Sequence, residues 1–310
     1  MISDLFSTTV LIGILASGIR LATPYLYAAI GETFGQRSGV LNLGVEGQML
    51  LGAFAAFYVA LTTGSLWLGV LTAMIVGALM GLAMAYVTVT LSAEQGISGI
   101  GFFLFGLGMS DLLFQKLMGT VETVKGFPKI YIPGLSDIPG IGEIFFSQNL
   151  LVYGAYLLVP VAWFVLNKTT LGLKIRAVGE NPDAADSLGV SVARIRYFTI
   201  ILGGTLSGIA GASLSIALLN VFQQNMTSGL GFIAVALVYF GAWRPVGVLA
   251  GALLFSMINS LQLWIQVLGI NVKSEFAVMM PYVLTIVVLV ATVSKVRAPS
   301  ALTKPFEREN

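Results

Sequence analysis

The sequence contains neither cysteine nor histidine, and only 10% of its 310 residues are charged. Without cysteine the chain has no disulfide framework and no thiolate metal site. Without histidine it lacks the usual proton shuttle and the commonest metal ligand, so no metal site is expected. Serine–histidine and cysteine–histidine catalysis are thereby excluded. The small net charge of +2 gives no reason to expect a nucleic-acid partner.

What the chain has instead is apolar surface. Hydrophobic residues make up 57% of it, mean hydropathy is +0.92, and glycine occurs 36 times. Soluble proteins contain roughly 45–50% apolar residues, whereas small residues such as glycine are abundant where membrane helices pack closely. The composition therefore predicts an all-α polytopic membrane protein, with residues 1–310 forming one transmembrane domain.

Runs of about 20 apolar residues, long enough to cross a bilayer, predict about nine transmembrane helices (eight to ten). The expected spans are 9–31, 41–61, 66–91, 97–117, 148–167, 197–219, 230–241, 246–267 and 278–294. The seventh is short, which favours a half-helix or a broken span buried among its neighbours. The N-terminal residues lack a positive region and a cleavage site, so the first span is expected to be retained.

Lysine and arginine set the predicted orientation, because loops on the cytoplasmic side carry an excess of them. Placing the 168–196 connection in the cytoplasm puts eleven basic residues on that side and four on the other. This arrangement makes 118–147 an external loop and 295–310 a cytoplasmic tail. Nine spans then place the N-terminus outside.

One polar stretch, RAVGENPDAADSLGV at 176–190, stands out in this apolar chain. Asn181 followed by Pro182 is typical of a helix start, and Gly189 is suited to end the helix after Leu188. One interpretation is a solvated loop that happens to be helical. The other is a short helix that inserts into a groove on a cytoplasmic partner.

Three stretches together resemble one family. LGLKIRAVGENPDAADSLGV at 171–190 is similar to the cytoplasmic coupling region of ABC importer permeases of the branched-chain amino acid and simple-sugar superfamily. SGVLNLGVEGQMLLGA at 38–53 and GLGFIAVALVYFGAWRPVGVLAGALLF at 229–255 resemble its nucleoside and simple-sugar branch, whose members work with lipoprotein-type binding proteins.

The resemblance implies a permease subunit in a prokaryotic plasma membrane, not an enzyme. Its expected partners are cytoplasmic ATPase subunits that bind ATP and Mg²⁺, an external substrate-binding lipoprotein, and a second permease, in a heterodimer by preference or a homodimer. The chain itself has no GxxxxGK[ST] loop, so ATP is expected to be bound by the partner ATPase and no cofactor is expected in this chain. The family's coupling helix corresponds here to Gly179, Glu180, Asn181, Pro182, Asp183, Ala184, Ala185, Asp186 and Gly189.

Polar residues inside the predicted spans are candidates for a translocation path, because ionisable groups are costly in a membrane. Glu46 is the first of these, with Asn42 one turn before it on a predicted helical face. The alternative is that Glu46 pairs with Arg20 or caps a broken helix. Asn259 and Gln262 form a polar stripe on a later span, and Phe102 belongs to an aromatic cluster that either stacks on a solute ring or simply packs.

The expected solute is a small polar molecule, and the family branch favours nucleosides or nucleobases. Simple sugars and riboflavin remain alternatives within the family. Outside it, an ion-coupled secondary transporter is the other possibility, because intramembrane carboxylates could carry protons or sodium. The coupling segment favours the ATP-driven importer, since a self-sufficient transporter has no need of it.

Overall fold

A computed structural model describes residues 7–269 and 297–306, together with positions 279, 283, 286 and 287. The described part of the chain is helical and has no strands. Its helices are α1 (Thr8–Arg37), α2 (Val45–Thr63), α3 (Leu66–Ala85), α4 (Gln95–Leu117), α5 (Ile141–Phe145), α6 (Leu150–Lys168), α7 (Thr170–Glu180), α8 (Pro182–Ser187), α9 (Val192–Ser213), α10 (Leu230–Phe240) and α11 (Pro245–Val267). A π-helical turn extends α3 to Thr90, and another extends α9 to Leu218.

Seven of these helices are long and apolar enough to cross a membrane: α1, α2, α3, α4, α6, α9 and α11. They correspond to seven of the nine predicted spans. The predicted short span at 230–241 is α10, which has only 11 residues. The span predicted at 278–294 lies outside the described residues except for four isolated positions. The multi-pass helical architecture is therefore confirmed, whereas the count of nine is not.

Helix α9 lies at the centre of the bundle and packs against α1, α2 and α3 through backbone contacts. A Cβ atom on Gly204 would lie 2.3 Å from the carbonyl oxygen of Gly77 on α3. A Cβ on Gly211 would lie 2.0 Å from the carbonyl oxygen of Met49 on α2. Glycine is required at such positions because only the absence of a side chain lets two backbones approach this closely.

A broken crossing follows α9. After its π-helical turn the chain runs without helix from Asn220 to Gly229, and then forms α10. Phe222, Met226 and Thr227 in this segment are buried. Non-helical backbone is tolerated inside a membrane protein only where other parts of the protein surround it. The sequence-based expectation of a half-helix buried among its neighbours agrees with this arrangement.

The two ends of the bundle differ in charge. At one end, called the basic end below, Arg37, Arg176 and Arg244 border one cavity. Residues 118–147 form a loop at the opposite end. Within this loop the structure has one short helix, the five-residue α5. Their prolines and glycines do not allow a long helix, as expected. A hydrogen bond from Val124 N to Asn220 O (3.0 Å) fixes this loop to the broken crossing.

Residues 297–306 lie across the basic end and are called the tail strap. The backbone N–H of Ala301 donates to Gly179 O at 2.9 Å, and that of Thr303 donates to Gly39 O at 3.2 Å. The buried Arg196 donates from Nη1 to Lys304 O at 3.1 Å. The strap thereby joins α7, the turn after α1 and the beginning of α9.

Candidate functional sites

The polar stretch noted in the sequence forms two short consecutive helices, α7 and α8. Asn181 caps α8, since its Oδ1 accepts the backbone N–H of Ala184 at 3.0 Å, and Pro182 occupies the first helical position. Gly189, at φ +80°, ends the segment in a conformation that glycine adopts readily. The predicted helix at 182–188 is confirmed as Pro182–Ser187. The residues before it form a second helix of 11 residues, α7.

One face of α7–α8 packs against the membrane helices and the other is exposed. Ile175 and Val178 are fully buried, and a Cβ on Gly179 would lie 2.1 Å from the carbonyl oxygen of Arg37 at the end of α1. On the outer face, Asp183 and Ala184 are exposed, and so is Leu188, with 86% of its surface accessible. The segment therefore combines an exposed outer face with a close backbone contact to the end of α1.

The exposed face of α7–α8 borders a cleft of about 300 Å³ between α8 and the tail strap. Glu180 and Asp183 line one wall, and Lys304 and Phe306 line the other. The hydroxyl of Ser300 donates to Glu180 Oε2 at 3.2 Å and closes one edge. The charged lining of this cleft therefore consists of two carboxylates and the ammonium group of Lys304.

Glu46 is buried in the bundle, with 1% of its surface accessible, and its carboxylate caps the N-terminus of α10. Oε1 accepts the Thr227 hydroxyl and the Gly229 N–H, both at 2.6 Å, and Oε2 accepts the Gly231 N–H at 2.5 Å. A negative charge is stabilised at a helix N-terminus by the unpaired N–H groups and the helix dipole. The alternatives to a path role for Glu46 are pairing with Arg20 or capping of a broken helix. The geometry corresponds to capping. In this conformation both oxygens are occupied.

Asn42 does not lie on the same helix as Glu46, which corrects the sequence interpretation. Helix α2 begins at Val45, and Asn42 belongs to the turn before it. Its backbone N–H donates to Glu32 Oε1 at 3.0 Å, and its Oδ1 accepts the Gly44 N–H at 2.9 Å. The side-chain oxygen of asparagine competes for nearby backbone N–H groups and so favours a turn over a helix.

The five predicted path residues fall on two separate parts of the bundle. Phe102 on α4 packs beside the turn that contains Asn42, because a Cβ on Gly44 would lie 2.9 Å from Phe102 Cβ. Phe102 also lines an apolar cavity of about 420 Å³. Asn259, half-buried, and Gln262, buried, lie on α11, which packs against α1, α6 and α10. Their role as a translocation path stays a prediction.

A further cavity of about 430 Å³ is lined by Arg20, which is not among the partners of the Glu46 carboxylate described above. Lys129, Asn149 and Asn220 also line it. The sequence alone places Lys129 only in the 118–147 loop and Asn149 only at the start of the predicted span 148–167. The signal that could have identified Asn149 is its cap: its Oδ1 accepts the Val152 N–H at 3.1 Å at the start of α6.

Two groups outside the spans have shifted pKa values. Hydrogen bonds from the N–H groups of Ile97 and Gly96 lower the pKa of Glu94, which caps α4. A hydrogen bond to Asp137 raises the pKa of Tyr131. Neither group borders the cavities described above. These three hydrogen bonds hold local chain turns in place.

Residues 14–289 match the family of branched-chain amino acid transport system permease components, and the chain belongs to this family. It is a multi-pass membrane permease component and not an enzyme. It is 38% identical to a putative glucose ABC transporter permease of Haloferax volcanii, over 96% of this chain and 98% of that protein.

Two further relatives come from Bacillus subtilis. The guanosine ABC transporter permease NupQ is 36% identical, over 92% of this chain and 93% of its own length. A second guanosine ABC transporter permease, NupP, is 28% identical, over 76% of this chain and 70% of its own length. No solved structure matches the chain.

Proposed function

We propose that this permease is the membrane-spanning subunit of an ATP-driven importer of nucleosides or nucleobases. The observation that carries the proposal is the similarity to NupQ, a guanosine permease, which covers more than nine-tenths of both chains. The putative glucose permease of Haloferax volcanii is similar over at least as much of both chains and makes a simple sugar the second candidate solute. The proposal places the basic end in the cytoplasm, because lysine and arginine accumulate on that side.

In the proposed mechanism, α7–α8 is the element that an ATPase subunit moves. Its exposed surface, which includes Asp183, Ala184 and Leu188, would sit in a groove of the ATPase when ATP closes the paired subunits. Its buried surface contacts the end of α1 at Gly179, so the displacement reaches the membrane helices. The path through the bundle would open outward with ATP bound and reset after hydrolysis.

Uptake into proteoliposomes tests the solute and the energy source together. The chain is reconstituted with its ATPase, its second permease and its binding protein, and labelled guanosine, glucose and riboflavin are supplied separately. The expected result is ATP-dependent guanosine uptake that unlabelled glucose does not reduce. Glucose uptake without guanosine uptake would identify the sugar as the solute. Uptake by the isolated chain in a proton gradient would overturn the ATP-driven mechanism.

Substitutions on α7–α8 test the coupling element. Leu188→Asp places a charge on the exposed apolar tip, and the double variant Glu180→Lys/Asp183→Lys reverses the acidic wall of the cleft. Both variants should keep the amount of folded protein unchanged while uptake falls and solute no longer stimulates ATP hydrolysis. Lys125→Gln, at an exposed position in the 118–147 loop at the opposite end of the bundle, is the control. Normal uptake and normal stimulation in both variants would show that the ATPase docks elsewhere.

The proposed assembly contains a second, different permease chain. Bacillus subtilis has two permease proteins named for guanosine, and this chain is more similar to NupQ than to NupP, which favours two distinct positions. The apolar exposed face of α4, including Ile97, Leu104 and Phe105, provides a surface for that subunit. Co-purification of the tagged chain should recover one copy of a second permease; two copies of this chain alone would indicate a homodimer.

A further inference from the structure

At the basic end, three arginines from different helices border a single cavity of about 490 Å³. Arg37 comes from the end of α1, Arg176 from α7, and Arg244 directly precedes α11. The lining described for this cavity includes Asn167 and contains no acidic side chain. A pocket of this size suits a small ligand or a lipid headgroup.

Hydrogen bonds to backbone carbonyl groups orient two of the three guanidinium groups, those of Arg37 and Arg176. Arg37 donates from Nε to Trp243 O at 3.0 Å, which fixes the direction of its guanidinium group. The charges of Arg176 and Arg244 act unfavourably on that of Arg37, whereas the charge of Glu180 acts favourably. A bound anion would relieve this repulsion. Guanidinium groups bind phosphate oxygens in pairs, because their N–H donors match the oxygen spacing.

The remaining lining identifies where the anion comes from. Trp163, with 41% of its surface accessible, and the buried Trp243 border the cavity, and the exposed apolar Val246 lies at its edge. The ammonium group of Lys168 lies 5.9 Å from the centre of the Trp163 ring. Tryptophan side chains concentrate at the level of lipid headgroups, and basic pockets between membrane helices on the cytoplasmic side bind anionic headgroups.

We propose that this cavity binds the phosphate of an anionic phospholipid in the leaflet at the basic end. The lipid would bridge α1, α6, α7 and α11 beside the element proposed for coupling. The inference does not depend on which solute the permease carries. It rests on the arginine geometry and on the mixed aromatic and apolar edge of the cavity.

Lipid binding to the purified full-length chain tests the site. Native mass spectrometry in neutral detergent measures the affinity for phosphatidylglycerol and for phosphatidylcholine. Each basic side chain near an anionic surface contributes roughly a factor of five to binding. The double variant Arg176→Gln/Arg244→Gln should therefore weaken phosphatidylglycerol binding about 25-fold. Lys174→Gln removes one positive charge from α7 outside the cavity lining, so it should change binding by less than about twofold.

Further measurements distinguish this site from unspecific charge attraction and from a site for free anions. Arg244→Gln alone alters an exposed side chain and should weaken binding about fivefold without affecting the fold. Equal losses in Lys174→Gln and Arg244→Gln would show unspecific charge attraction and overturn the site. Displacement of phosphatidylglycerol by millimolar inorganic phosphate would identify a free-anion site and overturn the lipid assignment. Equal binding of phosphatidylcholine would overturn both.

Discussion

The carboxylate of Glu46 accepts the backbone N–H of Gly231 at 2.5 Å, although the two residues are 185 positions apart in the chain. A Cβ on Gly231 would lie 2.5 Å from the backbone nitrogen of Glu46, so the start of α10 and the start of α2 are in direct contact. This contact holds the broken crossing in the bundle.

Glu46→Gln should destabilise the fold by about 2–3 kcal/mol, because a buried charge-assisted acceptor is lost and backbone donors are left without a partner. The amide supplies one acceptor oxygen in place of two and turns an NH₂ group towards N–H donors. Thermal unfolding followed by tryptophan fluorescence measures the change. Glu122→Gln, at an exposed position in the 118–147 loop, is the control. Equal unfolding temperatures for the two variants would contradict the capping role.

Gly208→Ala should also destabilise the bundle. Its Cβ would lie 2.1 Å from the carbonyl oxygen of Ala73 on α3, which forces the two helices apart. Overpacking of this kind costs about 1–3 kcal/mol. Gly101→Ala is the matched control, because that glycine is helical and a Cβ added to it would have nothing within 4 Å. The control should gain roughly 0.5–1 kcal/mol from helix propensity. Equal effects in both variants would refute tight packing at Gly208.

Arg196→Lys should release the tail strap. Arg196 donates from Nε to Ser38 O at 3.3 Å and from Nη1 to Lys304 O at 3.1 Å, and a single ammonium group cannot replace both. Losing one charge-assisted hydrogen bond should raise the rate of chymotrypsin cleavage after Phe306 about tenfold. Arg194→Lys, two positions away and exposed, should leave cleavage unchanged. An unchanged rate in Arg196→Lys would show that other contacts hold the strap.

Glu94 should make the stability of the fold depend on pH in the acid range. Its folded-state pKa is lowered by N–H donors, so its contribution is present above its ordinary pKa of about 4.3 and is lost as the pH falls through the lower folded value. Glu94→Gln should therefore lower the unfolding temperature at neutral pH. The wild-type and variant curves should converge in acid. A difference that persists unchanged at low pH would contradict this assignment.

The sequence predicted the apolar spans well, because length and hydropathy determine them locally. The predicted span 66–91 agrees closely with α3 and its π-helical extension, Leu66–Thr90. The predicted span 246–267 agrees closely with α11, Pro245–Val267. The α8 helix was predictable for the same reason, since Asn181 and Pro182 mark its start within the chain. The position of Asn42 was not, because its turn depends on a hydrogen bond to Glu32 rather than on helical periodicity.

The candidate sites were less accessible to sequence reasoning. The partners of Glu46 lie on a segment that is distant in sequence, and no local pattern indicates them. The basic cavity combines side chains from α1, α7 and the start of α11. Charge counting placed these arginines on one side of the membrane, but their convergence depends on how the helices pack.

The glycine contacts around α9 restrict how the protein can change shape. Gly31 on α1 meets Gly203, Gly52 on α2 meets Gly208, and Gly77 on α3 meets Gly204, each through backbone atoms. Such contacts have no flexible side chains that could absorb sliding of one helix along another. The four helices must therefore tilt together as a single block, and any alternation between open states requires hinges at the edges of that block.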